Sequence, residues 1–321
     1  MNDGVFVTIE GVLGVDHLTR RGAKFFFGVL FFVPALLLVF GLVSGCERRQ
    51  ERQTVIRLDH LAPLPENVPS ARPDTLRVAV AAVLSPTGTI DSYQPFIAYL
   101  QHKTGLPTTL VQRKSYQEIN DLLVRAVVDV GFICTGAYRD SSRRQDLELL
   151  VVPRINGKTT YRSLIIAPAA ASIKSFDDLR GKRFAFTDPL SNSGYHYPLF
   201  LLQHLGKQPE TFFAHTFFTY SHDRSIAAVM DGLADGAAVD SLIFDFVSRH
   251  NPRVAQQIAV IGQSPEFGIP PVVVPRALPT ARKAWLKGIF LSMHTEPDGE
   301  RALSSLGIER FEEPNPARYA P

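Results

Sequence analysis

From Leu76 onward, short apolar strands and amphipathic helices take turns, and this alternation limits the possible folds more than any other feature of the chain. LRVAVAAVL (76–84) reads as a strand of mostly buried character that ends at Ser85-Pro86. Tyr93 to Lys103 carries Phe96, Ile97 and Leu100 at helical spacing; Gly105 stops that helix and Pro107 opens the next strand, TTLVQ. Ser115 to Val128 is a second amphipathic helix, with Ser115 and Glu118 in capping-box spacing. Asp129 to Ile133 is a short buried strand. Strand, helix, strand, helix, strand predicts an α/β architecture with parallel pairing and helices as crossovers.

Two further strands, LELLVVP and YRSLIIAP, are joined by a turn at Asn156-Gly157, and the pattern then restarts. Strands are expected at Arg183–Thr187, Phe212–Phe217 and Gly236–Val239, and helices at about Ser193–Leu205, Asp223–Leu233 and Leu242–Arg249. Extended segments around Ile258 and Val272 and a helix from Lys283 to Met293 close the chain. One hydrophobic core of ordinary size serves about 100–150 residues, so a chain of 321 residues with two such systems predicts two lobes. The expected division is 75–165 plus 262–321 for lobe 1 and 166–261 for lobe 2, each a mostly parallel sheet flanked by helices. Crossings near Ser163–Pro168 and Ile261–Val274 would leave a ligand cleft at the ends of the strands.

The N-terminal part has a different character. Phe25 to Gly45 reads FFFGVLFFVPALLLVFGLVSG, with no charged side chain, and follows Arg20, Arg21 and Lys24. A basic flank, an apolar core and a small-residue end make the layout of an export signal, predicted over residues 1–45. Its end, Leu42-Val43-Ser44-Gly45-Cys46, resembles the lipobox of bacterial lipoproteins, in which the cysteine is lipid-modified. An uncut helix spanning the bilayer is the competing reading, since the run is long enough. Both readings put the remainder on the outer, periplasmic face of a bacterial membrane. Residues 46–74, punctuated by Pro63, Pro65, Pro69 and Pro73, read as a flexible tether.

Three segments carry the polar chemistry. In Phe186-Thr187-Asp188-Pro189-Leu190-Ser191-Asn192-Ser193-Gly194-Tyr195 a strand ends, small polar residues turn, and a helix begins. Free N–H groups at a helix start favour an anion, and Ser191, Asn192 and Ser193 add neutral donors. By spacing alone the same serines also read as helix caps. A second helix start is Ser221-His222-Asp223; His222 donates from either ring nitrogen according to tautomer, and an ordinary histidine changes charge between about pH 5 and 8. The third is Asp240, at the end of the strand Gly236–Val239. A carboxylate facing an anion requires a shared proton; the alternative is an aspartate that caps the next helix.

Taken together, these segments resemble the substrate-binding proteins of phosphate, phosphite and phosphonate ABC transporters. The matching stretches are Asp188 to Tyr195, Ser221-His222-Asp223 with Ala227-Ala228-Val229 behind it, and Gly232 with Asp235-Gly236-Ala237-Ala238-Val239-Asp240. Tyr116-Gln117-Glu118 and Asp129-Val130-Gly131-Phe132 fit the first lobe, and Ser264-Pro265 before Pro270-Pro271-Val272 fits the return crossing. The resemblance implies a two-lobed type-II periplasmic binding fold that closes by hinge motion on a small oxyanion. It also implies an anion cage of Ser191, Asn192, Ser193, Gly194, His222 and Asp240. Lobe 1 would contribute from the loop at Ser85–Tyr93 and from Ile133, Cys134 and Thr135. At Ile133-Cys134-Thr135-Gly136, and at Asn192 in place of the usual threonine, the chain departs from the family pattern. The implied partners are a small oxyanion, a membrane permease and, through Cys46, the lipid bilayer, with no cofactor and no catalysis.

Composition bears on the alternatives. With 34 basic and 31 acidic residues the formal charge is +3, which gives no reason to expect nucleic acid. The nine histidines are scattered without a His-x-x-x-His pair, so no metal site is expected. A hydrolase triad lacks its Gly-x-Ser-x-Gly elbow, because no glycine precedes Ser191 or Ser193 by two places. Gly157-Lys158-Thr159 mimics the end of a P-loop, but the required earlier glycine is Val152. A sensor lipoprotein of the same fold, reporting its ligand to a membrane signalling partner, is the closer rival.

Overall fold

The computed structural model describes residues 75–140 and 144–320. The expected leader at 1–45, Cys46 and the tether at 46–74 lie outside the described residues. Among the described residues no helix is long and apolar enough to cross a membrane.

In chain order the strands are β1 (Leu76–Val80), β2 (Thr108–Gln112), β3 (Val130–Phe132), β4 (Leu147–Arg154), β5 (Thr160–Tyr161), β6 (Ser163–Pro168), β7 (Arg183–Phe186), β8 (His215–Phe218), β9 (Gly236–Asp240), β10 (Ile258–Gln263), β11 (Phe267–Gly268), β12 (Val272–Pro275) and β13 (Arg310–Glu312). One sheet has the order β13-β4-β12-β3-β1-β2, a second β10-β6-β9-β7-β8, and β5 pairs with β11 in a short ribbon. β1 is parallel to β2 and β3, and β7 to β8 and β9, as helical crossovers require. The expectation of mostly parallel sheets is corrected at β6, β12 and β13, which pair antiparallel with their neighbours. β6 and β12 reach their sheets over extended crossings, so no helical return imposes parallel pairing on them.

The crossings also differ from expectation. Ser163–Pro168 is not a link between lobes but β6 itself, paired antiparallel with β9 and β10. The chain passes between the sheets through β5 and β11, where Tyr161 pairs with Phe267 and Thr160 with Gly268. The Asn156-Gly157 turn is present, with φ of 50° and 74° at its two central residues, the left-handed geometry that Asn-Gly supplies.

Each sheet is covered by helices on both faces. On the first sheet, helices Pro86–Thr104 and Thr280–Ser292 bring Phe96 and Phe290 onto Phe132 and Phe311, with Phe96 and Phe132 ring centroids 5.4 Å apart. Helix Tyr116–Val124 packs Ile119 and Leu123 on the opposite face. Its start is the expected capping box: Ser115 Oγ accepts from Glu118 N–H while the Glu118 carboxylate accepts from Ser115 N–H. The first helix begins at Pro86 rather than Tyr93, so Ser85–Tyr93 is not a loop; proline at the first helical position is pre-set for helix and lacks only an N–H that would go unpaired. On the second sheet, Phe184, Phe186, Phe212 and Phe213 fill one face and Ile226, Val229 and Val254 the other. The segments that leave the carboxyl ends of β1, β3, β7, β8 and β9 meet one another, and they carry the polar residues singled out above.

Candidate functional site

β7 ends at Phe186, and Thr187 and Asp188 turn the chain. Asp188 is buried and organises the turn: its Oδ1 accepts from Leu190 N–H at 2.8 Å and its Oδ2 from Tyr116 N–H at 3.0 Å, which ties the second sheet to the first. Burial raises the Asp188 pKa above the ordinary carboxylate value, against the pull of these two N–H donors. Ser191 Oγ accepts from Gly194 N–H at 2.9 Å, so this serine caps the wide turn Asn192–His196 that leads into helix Tyr197–His204. The Gly194 amide is thereby engaged inside the turn. Space also demands glycine here, because a Cβ would stand 2.3 Å from Thr187 Oγ1. Asn192 donates its side-chain amide to Tyr161 OH at 3.2 Å. Ser193 differs from both neighbours. Its carbonyl accepts from Ser163 Oγ at 2.7 Å, but its own hydroxyl is buried and makes no hydrogen bond among the described residues.

After β8, Tyr220 takes a left-handed backbone, φ 61°, a conformation rare for a bulky residue and one that concentrates at functional turns. It delivers Ser221 and His222 to the start of helix His222–Met230. His222 is fully buried, and its backbone N–H donates across the cleft to Val83 O at 3.0 Å. On the ring, Nδ1 accepts the backbone N–H of Asp240 at 3.1 Å. A backbone amide can only donate, so Nδ1 carries no proton and Nε2 carries one. Burial pushes the His222 pKa down to about 3, hence the imidazole is neutral throughout pH 5–8, contrary to the titration expected of an ordinary histidine. The Nε2–H finds no acceptor among the described residues, nor does the buried Ser221 hydroxyl. Asp240 Oδ1 accepts from Leu242 N–H at 2.7 Å and caps helix Ser241–His250. Burial nevertheless lifts its pKa to about 7, so the carboxyl group can carry the proton that an anion beside it requires.

The first lobe brings its own residues to this place. Cys134 follows β3, is buried, and accepts from Asn192 N–H at 3.5 Å through Sγ; burial pushes its thiol up to about 11. Gly136 permits the approach, since a Cβ there would lie 2.3 Å from Leu190 O. Ser85 N–H donates to both oxygens of Asp223, at 2.9 and 3.1 Å. Thr135 Oγ1 donates to Gly268 O at 2.8 Å, so that proton is committed to the return crossing. Ile133 and Tyr93 line an apolar cavity of about 120 Å³ rather than the serine turn.

Three residues outside the expected site also belong to this constellation. Tyr116 is buried and its hydroxyl has no partner among the described residues; burial, then Cys134, Asp188, Asp240 and Tyr161 nearby, hold its pKa well above the usual phenol value. Ser221 supplies the unpartnered hydroxyl beside His222. Thr187 Oγ1 lies 3.2 Å from His222 Nδ1 and 3.3 Å from Ser225 Oγ, and helps hold the imidazole. In the sequence Tyr116 and Ser221 stood within stretches that resemble the family, but neither was assigned to the site. Among the described residues no three His, Cys, Asp or Glu side chains gather as a metal would need.

The unpartnered donors described here are neutral side chains, not lysine or arginine, and relatives share the fold. A binding-protein component of an ABC phosphonate transporter from Pseudomonas aeruginosa superposes with a TM-score of 0.72 at 22% identity, over 76% of this chain and 83% of that one. PhnD1 from Prochlorococcus marinus, solved with methylphosphonate, superposes at 0.69 with 18% identity, over 77% of this chain and 95% of that one. By sequence, the phosphate-import protein PhnD of Mycolicibacterium smegmatis is 27% identical over 183 residues, 53% of this chain. The match spans 57% of that relative, little more than half its length. Residues 78–319 match the family described as the periplasmic substrate-binding protein of phosphonate ABC transporters. Most of the chain lies within that match, and the protein belongs to this family of binding proteins, which are not catalysts.

Proposed function

We propose that this protein captures a small phosphorus oxyanion (phosphonate, phosphite or phosphate) outside the cytoplasm and delivers it unaltered to the permease of an ABC importer. A lipid on Cys46 would hold it at the membrane. The observation that carries this reading is a set of buried polar atoms without partners among the described residues: Ser193 Oγ, Ser221 Oγ and His222 Nε2 from one lobe and Tyr116 OH from the other. Leaving such a group unpaired costs about 1–3 kcal/mol, so several together favour a ligand with several acceptor oxygens. All four can donate a hydrogen bond, as an oxyanion requires, and the His222 Nε2–H can only donate. Asp240 with its proton adds another donor and admits a partly protonated phosphorus oxyanion.

The two relatives named for phosphate import and solved with methylphosphonate support the ligand class. Closure would swing the lobe of the first sheet against that of the second about the β5–β11 ribbon, which moves the expected boundaries (75–165 plus 262–321 against 166–261) to that ribbon because β6 and β10 belong to the second sheet; Ser191, Asn192 and Gly194 shape the turn that presents Ser193. Titration calorimetry of the ligand-stripped full chain with phosphate, phosphite, methylphosphonate and 2-aminoethylphosphonate tests this reading. Saturable heat from at least one is expected; no heat from any of the four overturns it.

A further inference from the structure

A cavity of about 120 Å³ has walls from both lobes, and two of its lining residues touch His222: Val83 O accepts the His222 backbone N–H and the Asp240 backbone N–H donates to the imidazole. Phe132 and Ile133 face it from the first sheet, and Ile243 and Phe246 from helix Ser241–His250 of the second. Asp240 belongs to both places. It lines the cavity, and its backbone N–H holds His222 Nδ1. The other polar residues of the wall are Ser92, Tyr93 and Arg249, the last exposed to solvent. A dry cavity of about 150 Å³ lined by Leu, Ile and Phe takes up benzene, so this volume accommodates a short alkyl chain or a ring.

The geometry points to a phosphonate whose carbon substituent is apolar, of butyl to phenyl size, with the phosphonate oxygens on the Ser193–His222 donors and the substituent in the cavity. This rests on the reading of those donors as an oxyanion site. Inorganic phosphate or phosphite has nothing to fill the apolar walls. An aminoalkyl substituent would bring an ammonium into a cavity whose one acid is Asp240. That carboxyl already caps a helix through Leu242 N–H, and burial favours its neutral form. Arg249 at the wall adds a like charge.

Calorimetry of the full chain with methyl-, butyl-, phenyl- and 2-aminoethylphosphonate and with inorganic phosphate reads this out. Each buried methylene is worth about 0.8 kcal/mol, close to fourfold in affinity. Butyl- and phenylphosphonate are expected to bind at least tenfold tighter than methylphosphonate, with a more negative heat-capacity change, and 2-aminoethylphosphonate no tighter than methylphosphonate. Ile243→Trp, which narrows the cavity, should bring the butyl-to-methyl affinity ratio close to one. Equal or weaker binding of the larger ligands, a preference for the aminoethyl compound, or an unchanged ratio in I243W would overturn the inference. If methylphosphonate or phosphate binds while the larger compounds do not, only this inference fails. If none of the five gives heat, the oxyanion reading beneath it fails as well.

Discussion

His222 Nδ1 accepts the backbone N–H of Asp240 at 3.1 Å, and this contact fixes the imidazole as a neutral donor through Nε2. The same strand end places the Asp240 carboxyl where burial retains its proton to about pH 7. The backbone bond thus sets the histidine tautomer while burial keeps the Asp240 proton below about pH 7, and together they offer two hydrogen-bond donors there without a net positive charge.

A pH profile follows, with Asp240 and His222 acting in opposite senses. Asp240 has a folded pKa of about 7, above the ordinary value of about 3.9. Between these values the folded chain binds more protons than the unfolded one, so this residue's contribution to stability falls as pH rises through the window. His222 has a folded pKa of about 3, below the ordinary value of about 6.5; its contribution is full above that value and is lost as pH falls toward 3. In binding, the wild-type affinity for methylphosphonate relative to that of Asp240→Asn should fall by up to about tenfold per pH unit above 7, since asparagine donates at every pH. The ratio cancels the ligand's own titration. Calorimetry from pH 5.5 to 8.5 measures it, and a constant ratio would remove the Asp240 proton from the site.

The two serines of the turn should separate cleanly on substitution. Ser193→Ala removes an unpartnered donor and should weaken anion binding by about 1.5–3 kcal/mol, roughly 10- to 150-fold, with little change in melting temperature. Ser191→Ala removes the bond from Gly194 N–H and should cost about 1 kcal/mol of stability, seen as a lower melting temperature. Identical behaviour of the two variants in both assays would contradict these assignments.

Asp223 links the lobes through two short contacts from Ser85 N–H. Asp223→Asn keeps the shape and weakens those bonds. The expected loss of affinity is about fivefold, corresponding to about 1 kcal/mol for a partly exposed bond. Small-angle scattering with saturating methylphosphonate should show a larger radius of gyration than wild type at equal ligand concentration. Unchanged affinity and scattering would mean that this contact does not contribute to closure.

Cys46→Ser tests the anchor. Loss of the acyl chain should stop processing at this position, so the variant should keep its apolar leader and run as a larger species on a gel, while the wild type incorporates radiolabelled palmitate. Equal size and no label in either protein would favour the uncut helix over the lipid.

The βαβ rhythm was legible because apolar periodicity is a local property, and so was the capping box at Ser115 and Glu118. The antiparallel entries of β6, β12 and β13 were not, because pairing direction depends on where a crossing delivers the strand. At the site, serine after serine reads as donor or cap with equal ease. Only the Gly194 N–H bond to Ser191 separates a capping hydroxyl from the free one on Ser193. Thr135 looked available until its hydroxyl proved bound to Gly268 O, a residue from the far crossing. Tyr116 was hidden for the converse reason. At a helix start it reads as an apolar core residue, and its unpartnered hydroxyl becomes visible only when the second lobe packs against it.

The central claim is that neutral donors from both lobes hold one phosphorus oxyanion, and a crystal structure of the protein with methylphosphonate measures it directly. The account predicts phosphonate oxygens within hydrogen-bond reach, about 2.6–3.2 Å, of Ser193 Oγ, His222 Nε2 and Tyr116 OH together. Density for the ligand elsewhere, with these three atoms bonded only to water, would contradict it.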